Sequence, residues 1–325
     1  MRNRSRFRLD WLWALALVVL LPATSESYLK IKGFEDPKPA LAEQRFAEWY
    51  ADPVHRALGW DNPPESKRGT LAVDSAVPPD YKRLGQRRSN YLFLGCSCTW
   101  GVGLKDDEGF VYLLNQRYPQ VNFDNYAVPG FGTYQLYRKL ELVFQRNHNL
   151  YDGVVYCAIN DHLRRNTWLN LAQAGNGLRF IVPRVIPLET GGYEYTDILP
   201  VPFWPGSRVL GRTLWFAQTV YIREYSHKPF PRSVDVPVFN DLLAKMAALC
   251  EAHQTKLLAV WLDCDLSRDL SAENRGRIRC LNVVFPSLDD PRFQVPGDGH
   301  PNAYVNRQWA EAIGSQLFGS DRDER

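Results

Sequence analysis

The chain has 325 residues, of which 45% are hydrophobic and 23% charged, a composition typical of a globular protein that buries the core of one large domain. Its formal net charge of +3 is small, and basic residues are interspersed with acids along most of the chain, which argues against a nucleic-acid-binding surface. The six cysteines form no C-x-x-C pair and have no metal-ligand spacing with histidine, which argues against a zinc site.

Residues 1–25 have the pattern of a signal peptide or signal anchor. Four arginines within the first eight residues precede an apolar stretch from Trp11 to Leu21, which is shorter than a usual membrane span. Because basic residues stay on the cytoplasmic side, the remainder is predicted to be exported to the periplasm or another extracytoplasmic compartment. An uncleaved segment would anchor it to the inner membrane, and Ala23–Ser25 offers no clean cleavage site. The alternative is a buried N-terminal helix.

Residues 26–88 are rich in Pro, Lys, Arg and Asp and have few apolar runs. Loosely spaced apolar residues between Tyr28 and Tyr50 leave room for one helix. We predict that this region is a lead-in and cap segment that packs on the main domain.

The pattern changes at residue 89, where short apolar runs and helical patterns begin to alternate. This alternation predicts a flavodoxin-like three-layer α/β/α domain over residues 89–320, with about five parallel strands and helices on both faces of the sheet. Helical faces begin near Val238 and Val305. The predicted strands are Asn90–Gly95, Val121–Val128, Gly153–Ile159, Lys256–Leu262 and the weaker Cys280–Phe285.

Residues from about 163 to 237 interrupt this rhythm. The segment is dense in Pro, Gly, Trp, Tyr and Arg, too long for an ordinary connection and too aromatic for a disordered linker. We predict an insertion that lies over the active-site end of the sheet. Trp204 and Trp215 are candidates for stacking on a sugar, with packing as the simpler interpretation.

Polar residues and glycines follow the predicted strands, at the edge where a parallel sheet binds ligands. Because the carboxyl ends of parallel strands meet at one edge, we expect these residues to converge. They are Ser97 after the first strand, Gly130 and Gly132 after the second, Asn160 and Asp161 after the third, and Asp298 with His300 before the last helix.

This combination resembles the SGNH (GDSL-like) hydrolase superfamily over roughly residues 89–318. The first motif, usually G-D-S-x-T, reads G-C-S-C-T here and places Ser97 as the nucleophile. The cysteine variant is common among relatives. Gly130 matches the second-motif glycine, whose N–H faces the oxyanion. The third motif, usually G-x-N-D, reads A-I-N-D and places Asn160 as the side-chain oxyanion donor, and His300 matches the base of the fourth.

The fourth motif departs from the usual D-x-x-H. Gly297 stands three residues before His300, and Asp298 stands two before it. Because a D-x-H spacing occurs in the alginate acetyltransferase-like branch, the resemblance implies that Asp298 orients His300. The departure leaves open that another carboxylate or a backbone carbonyl does so.

The implied chemistry is acyl transfer without a metal or organic cofactor. A serine hydroxyl is a poor nucleophile until a neighbouring imidazole takes its proton, so Ser97 needs His300 held in one tautomer. The negative charge that develops on the ester oxygen would be stabilised by the N–H groups of Ser97 and Gly130 and by the Asn160 amide.

With the predicted export, these residues favour a serine esterase that acts on O-acetyl or similar esters of envelope or extracellular glycans, or on small esters. A polysaccharide O-acyltransferase with the same triad is one alternative. A non-catalytic glycan-binding or assembly protein is another, although the intact Ser97, Asn160 and His300 argue against it. A small-molecule or glycan ester is the expected partner, and the membrane is a partner only through an uncleaved N-terminus.

Each residue also has a simpler interpretation. Alone, Ser97 could be a buried turn serine, Gly130 a tight-turn glycine, Asn160 a helix cap and His300 a surface residue at a helix start. His162 is predicted to lie on the surface or to line the cleft.

The cysteines carry separate expectations. Cys157 is predicted to be a small core residue. The sequence leaves open whether Cys96 and Cys98, which flank Ser97, are passive or redox-sensitive. It also leaves open one disulfide, whose two members would come from Cys250, Cys264 and Cys280.

Overall fold

A computed structural model of the protein describes residues 53–58, 61, 71, 89–146, 151–167, 180–181, 183–197, 199–200, 231–285 and 288–319. The predicted signal or anchor, the possible helix between Tyr28 and Tyr50, and Trp204 and Trp215 lie outside these residues. Within the described ranges, no helix combines the length and apolar character needed to cross a membrane.

Five parallel strands form the central sheet: β1 Ser89–Leu94, β2 Val121–Asn125, β3 Gly153–Ala158, β4 Lys256–Trp261 and β5 Arg279–Asn282. Their order across the sheet is β2-β1-β3-β4-β5. The predicted parallel sheet is therefore confirmed, and each strand begins within one residue of its prediction. The second and the weaker fifth strand each end three residues earlier than predicted, at Asn125 and Asn282.

Helices follow most of the strands and cover both faces of the sheet. They are α1 Pro53–Leu58, α2 Ser97–Trp100, α3 Phe110–Arg117, α4 Thr133–Arg146, α5 Asp161–Arg164, α6 Arg232–Ala252, α7 Ala272–Arg277 and α8 Ala303–Phe318. Alternate residues of β3 enter different cores. Val154 and Tyr156 pack with α4 and α6, whereas Val155 and Cys157 pack with α3 and α8. All residues of this central strand are buried, because helices cover it on both sides. The predicted three-layer fold and the buried Cys157 are thus confirmed.

Parts of the predicted insertion form two short antiparallel pairs. Phe180–Ile181 pairs with Leu199–Pro200, and Val185–Pro187 pairs with Tyr193–Tyr195. The second pair contacts α4 and α6 through a small apolar cluster. That cluster contains the buried residues Tyr134, Val185, Val238 and Leu242.

The lead-in segment is attached to α4 through one buried lysine. Lys139 Nζ lies 2.6 Å from Asp61 Oδ1 and 3.0 Å from the carbonyl oxygen of Leu71, and the side chains of Lys139 and Asp61 are 0% and 6% exposed. Leu71 N–H donates to the carbonyl of Asn125 at 2.7 Å, and Gln135 Nε2 donates to the carbonyl of Leu58 at the same distance. These bonds tie the lead-in to α4 and to the end of β2.

Replacing Lys139 with methionine is expected to lower the free energy of unfolding by about 3–5 kcal/mol, because the Asp61 carboxylate would be left in the core without its cation. Urea unfolding followed by circular dichroism measures the change. The double variant Lys139→Met/Asp61→Leu should recover most of it, since removing both charges leaves neither uncompensated. Exposed Lys105→Met is the control. A loss below about 1 kcal/mol in the single variant would contradict a stabilising role for the ion pair.

A second buried carboxylate lies at the end of β2. Asp124 accepts hydrogen bonds from Asn122 Nδ2 and from the Tyr151 hydroxyl, each at 2.9 Å. Burial raises the pKa of Asp124 to about 7, against the opposing effect of the Tyr151 hydrogen bond. The folded protein therefore binds a proton at this position at pH values where an unfolded aspartate has lost it.

This raised pKa predicts a stability that falls as pH increases. Between the ordinary aspartate pKa and about 7, the folded state holds more protons at Asp124 than the unfolded state, so each increase in pH favours unfolding. Asp124→Asn removes this titration. The free energy of unfolding of the wild type, relative to the variant, should therefore drop by about 2 kcal/mol between pH 5 and pH 8. Urea titrations of both proteins at several pH values measure the difference, and parallel pH profiles would rule the assignment out.

Candidate active site

Ser97 lies at a strand-to-helix turn, directly after β1 and at the first position of α2. The turn is closed by backbone hydrogen bonds to the Ser97 carbonyl from the N–H groups of Gly101 and Val102, at 2.9 and 3.1 Å. Gly101 ends it at φ 87°, in the left-handed region that favours glycine. The Ser97 residue is 8% exposed, so only a small part of it is open to a reactant.

The first-motif glycine and threonine pack on each other. A Cβ atom at Gly95 would lie 2.1 Å from Thr99 Oγ1, and Thr99 is itself buried. Only glycine at position 95 lets the chain turn this tightly around Thr99. The spacing G-x-x-x-T in the sequence therefore follows from the geometry of the turn that presents Ser97.

Gly130 is the third residue of a turn from Val128 to Phe131. Phe131 N–H donates to the carbonyl of Val128 at 3.3 Å, Pro129 occupies the second position, and Gly130 has φ 85°. These features match a type II turn, which requires positive φ at its third residue. Val128 N–H also donates to the carbonyl of Gly95 at 3.0 Å, so this turn lies beside the Ser97 turn.

Asn160 stands between β3 and α5. Its side chain makes no helix-capping hydrogen bond, unlike the capping interpretation of the sequence. Its backbone N–H donates to both carboxylate oxygens of Asp263, at 2.9 and 3.2 Å. The following helix meets the second-motif loop, because Arg165 donates to the carbonyl of Phe131 at 3.2 Å and packs against Gly132. The second and third motifs are therefore neighbours.

Asp298 and His300 are hydrogen-bonded to each other, between Asp298 Oδ1 and His300 Nδ1. The D-x-H spacing thus places the carboxylate against the imidazole, as the resemblance implies. With the carboxylate accepting, Nδ1 carries the hydrogen and Nε2 is the nitrogen left to take a proton. Left-handed glycines at positions 297 and 299, with φ 77° and 84°, let the chain fold back within so few residues.

The His300 loop packs against the end of the Ser97 loop. A Cβ atom at Gly103 would lie 2.8 Å from Val295 Cγ1 and 3.1 Å from Asp298 Oδ2. The His300 loop is closed by Val295 N–H, which donates to the His300 carbonyl at 2.7 Å. Gly103 is the sixth residue after Ser97, so the first and fourth motifs meet at this edge of the sheet.

The hydroxyl of Ser97 is directed to a sulfur atom in this state. Ser97 Oγ lies 3.9 Å from Cys96 Sγ, within hydrogen-bonding range for sulfur, and no hydrogen bond among the described residues joins Ser97 to His300. In proteins without substrate, catalytic hydrogen bonds are often long and shorten only in the reacting complex.

His162 is completely buried, so both predictions for it, surface or cleft, are wrong. Its Nδ1 lies 2.8 Å from the Tyr156 hydroxyl, which lies 2.9 Å from Thr133 Oγ1. The aromatic contact between His162 and Tyr156 adds to this packing. His162 is thus a core residue held by a chain of hydroxyl groups beneath the third motif.

The two cysteines beside Ser97 differ from each other. A side-chain hydrogen bond with Cys98 lowers the pKa of the Cys96 thiol well below its usual value, against the effect of burial, and His162 and Arg165 add to the lowering.

All six cysteines are free, so the disulfide that the sequence left open among Cys250, Cys264 and Cys280 is absent.

Asp263 is a residue of this edge that the sequence interpretation missed. It follows β4 by two residues and contacts Asn160, as described above. Its position just after a predicted strand was the available signal, since ligand-binding residues follow parallel strands.

Within the described part of the chain, no group of three or more His, Cys, Asp or Glu residues is arranged to hold a metal ion.

No family model and no curated protein matches this chain. Solved structures with a similar backbone fold include the psychrotrophic esterase EstA from Pseudoalteromonas sp. It has 12% identity and a TM-score of 0.40 over 70% of this chain and 98% of that one. A member of the lipolytic protein G-D-S-L family from Veillonella parvula DSM 2008 has 12% identity and a TM-score of 0.37 over 69% and 95%. A GDSL-like lipase from Bacteroides thetaiotaomicron VPI-5482 has 13% identity and a TM-score of 0.35 over 74% and 98%.

These identities and TM-scores are too low to assign an activity to the chain. Its own residues carry the resemblance: the sheet is parallel as predicted, Ser97 follows β1 at a turn, Gly130 follows β2 at a turn, Asn160 follows β3, and Asp298 is hydrogen-bonded to His300 before the last helix. In its three-layer fold and in the four motifs that follow its strands, the chain resembles the SGNH (GDSL-like) hydrolase superfamily.

Proposed function

We propose that the chain is an SGNH-type serine esterase that forms an acyl-enzyme on Ser97. The observation that carries this proposal is the hydrogen bond between Asp298 and His300, on a loop that packs against the end of the Ser97 loop. A hydroxyl nucleophile, an imidazole and a carboxylate that orients the imidazole are the parts that serine-dependent acyl transfer requires.

In the first half of the reaction, Ser97 Oγ attacks the ester carbonyl carbon while His300 Nε2 takes the serine proton. The tetrahedral intermediate collapses, and His300 gives that proton to the departing alcohol oxygen. Water then attacks the acyl-enzyme with His300 again as the base, which releases the carboxylic acid and restores Ser97. Asp298 stays ionised throughout and stabilises the imidazolium that forms twice in each turnover.

The oxyanion of each intermediate would be held by three donors. These are the backbone N–H groups of Ser97 and Gly130 and the side-chain amide of Asn160. Loss of one such donor typically costs about 10²–10³ in rate. The absence of a capping bond from the Asn160 side chain supports this role, since a capping bond would compete for the amide.

For substrates, we propose O-acetyl or similar esters on envelope or extracellular glycans, or small esters, in keeping with the predicted export of the chain. The exposure of the acid–base pair supports access for a bulky ester, because the side chains of His300 and Asp298 are 28% and 33% exposed. Residues 1–25 would deliver the domain to this compartment and anchor it to the inner membrane if uncleaved.

Covalent labelling with a p-nitrophenyl alkylphosphonate tests the proposal. Ser97 Oγ would displace p-nitrophenolate from phosphorus, and mass spectrometry of peptides should find one phosphonyl group, on Ser97. Ser97→Ala should remain unlabelled, whereas Ser315→Ala, which changes an exposed serine of α8, should label like the wild type. A folded wild-type protein that takes up no label, or takes it up at another residue, would contradict a serine acyl-enzyme at this position.

A second candidate is a polysaccharide O-acyltransferase, which the D-x-H spacing at Asp298 and His300 favours through its resemblance to the alginate acetyltransferase-like branch. It would use the same acyl-enzyme and replace water with a sugar hydroxyl. Turnover of an acetyl donor with and without a glycan acceptor separates the two, since only the transferase would deposit acetyl groups on the glycan. Glycan binding without any ester turnover would instead favour the non-catalytic alternative.

A further inference from the structure

Asp263 lies where the main-chain pairing of two central strands ends. Strands β3 and β4 are paired from Gly153 with Lys256 to Ala158 with Trp261. Leu262 N–H extends the ladder by donating to the carbonyl of Ala158 at 3.1 Å. Beyond this bond, the next N–H on the β3 side, that of Asn160, no longer donates to a backbone carbonyl of the β4 side. Its acceptor is the Asp263 carboxylate, which accepts the N–H of Asn160 with both oxygens.

The carboxylate also lies close to the buried groups beneath the nucleophile. Burial raises the pKa of Asp263, while hydrogen bonds from Cys264 and from Asn160 N–H lower it, and His162 and Cys96 act on it electrostatically. Asp263 thus contacts the third motif from β4, and its charge interacts with those of His162 and Cys96.

Both polar groups of the Asn160 backbone are hydrogen-bonded. Its carbonyl accepts the N–H of Leu163 at 3.2 Å, its N–H donates to the Asp263 carboxylate, and its side chain makes no bond to the first turn of α5. The Asp263 carboxylate is thus the contact from β4 that helps to set where the Asn160 backbone lies and, through it, where the side-chain amide points. An amide displaced by about 1 Å from a developing charge can cost about 10²-fold in rate.

We propose that Asp263 is a positioning residue of the oxyanion site, which holds the backbone of Asn160 so that its amide faces the oxygen of the scissile ester. This inference rests on the proposed esterase function. Asp263 touches no reacting atom and acts through Asn160 alone. Its removal should therefore lower kcat while KM stays nearly unchanged, because the amide matters in the transition state more than in substrate binding.

A double-mutant cycle in the full-length protein tests the role, with p-nitrophenyl acetate as the substrate. Asp263→Ala should lower kcat by about 10–100-fold. Asp263→Asn, which keeps one acceptor oxygen for the Asn160 N–H, should recover most of that loss. Asp265→Ala, which removes an exposed carboxylate two residues further along, should leave kcat unchanged.

The decisive comparison is made in the Asn160→Ala background. There Asp263→Ala should lower kcat by less than about 3-fold, because the amide that it positions is already absent. A purely structural role would give the same fold-loss in both backgrounds and would overturn the proposal. If the Asp263→Ala protein does not fold, Asp263→Ser, whose shorter side chain does not reach Asn160 N–H, takes its place in the cycle.

Ser97→Ala, measured in parallel, separates this proposal from the function on which it rests. Activity that is lost in Ser97→Ala but unchanged in Asp263→Ala would overturn the positioning role and leave the esterase intact. Activity that survives Ser97→Ala, or a wild type without activity, would overturn both.

Discussion

Replacing Ser97 with alanine is expected to lower kcat for p-nitrophenyl acetate by about 10⁴-fold or more, because losing any member of a serine triad removes nearly all of its rate enhancement. The reason lies in the turn after β1, which presents one hydroxyl at the edge where the Gly130 turn, Asn160 and His300 also lie. The other hydroxyl group of this turn, that of Thr99, is buried against Gly95.

The measurement compares initial rates of the full-length protein and its Ser97→Ala variant, with Ser315→Ala as the matched control. Circular dichroism and thermal unfolding establish that the variants are folded. Alanine at position 97 removes only the hydroxyl and leaves the turn's backbone hydrogen bonds in place, so a large loss of stability is not expected. Equal rates in the wild type and the Ser97→Ala variant would remove Ser97 from the mechanism.

Replacing Asp298 with asparagine is expected to lower kcat by about 10³–10⁴-fold while KM changes little. An asparagine amide can donate to His300 Nδ1, which would stabilise the tautomer that carries its hydrogen on Nε2. That nitrogen could then no longer accept the Ser97 proton. The geometry of the loop would survive, because its backbone hydrogen bonds, from Asp298 N–H to the Val295 carbonyl and from Val295 N–H to the His300 carbonyl, do not depend on the side-chain charge.

Steady-state kinetics of Asp298→Asn beside Asp289→Asn, an exposed aspartate on the preceding segment, measures this effect. A loss of less than about 3-fold would show that another carboxylate or a backbone carbonyl orients His300, the alternative that the D-x-H spacing left open. In the described structure, Asp298 is the carboxylate hydrogen-bonded to His300 Nδ1.

Local patterns predicted the sheet well because central parallel strands are buried on both faces and appear as continuous apolar runs. Strand β3, every residue of which is buried, was predicted to within one residue at its end. The two edge strands, β2 and β5, were predicted less accurately, since each ends three residues before its predicted end. Strand β5 pairs on one side only, and its exposed Arg279 and Asn282 break the apolar pattern.

The site residues could be predicted from their positions along the chain relative to the strands and the last helix. Each motif comes directly after a strand or before the last helix, and parallel strands end at one edge. Local conformation supports one of them individually, since Gly130 adopts positive φ in a turn where the sequence has glycine. Their chemical roles remain predictions that the variants above test.

The sequence by itself determined the five parallel strands, the three-layer fold and the positions that follow each strand, because periodicity and turn residues are properties of neighbours in the chain. Only the tertiary structure decided that His162 is buried, that Lys139 holds Asp61 and that Asp263 meets Asn160. The last contact joins residues 103 positions apart. No local pattern encodes it, since it depends on how β3 and β4 are aligned in the folded sheet.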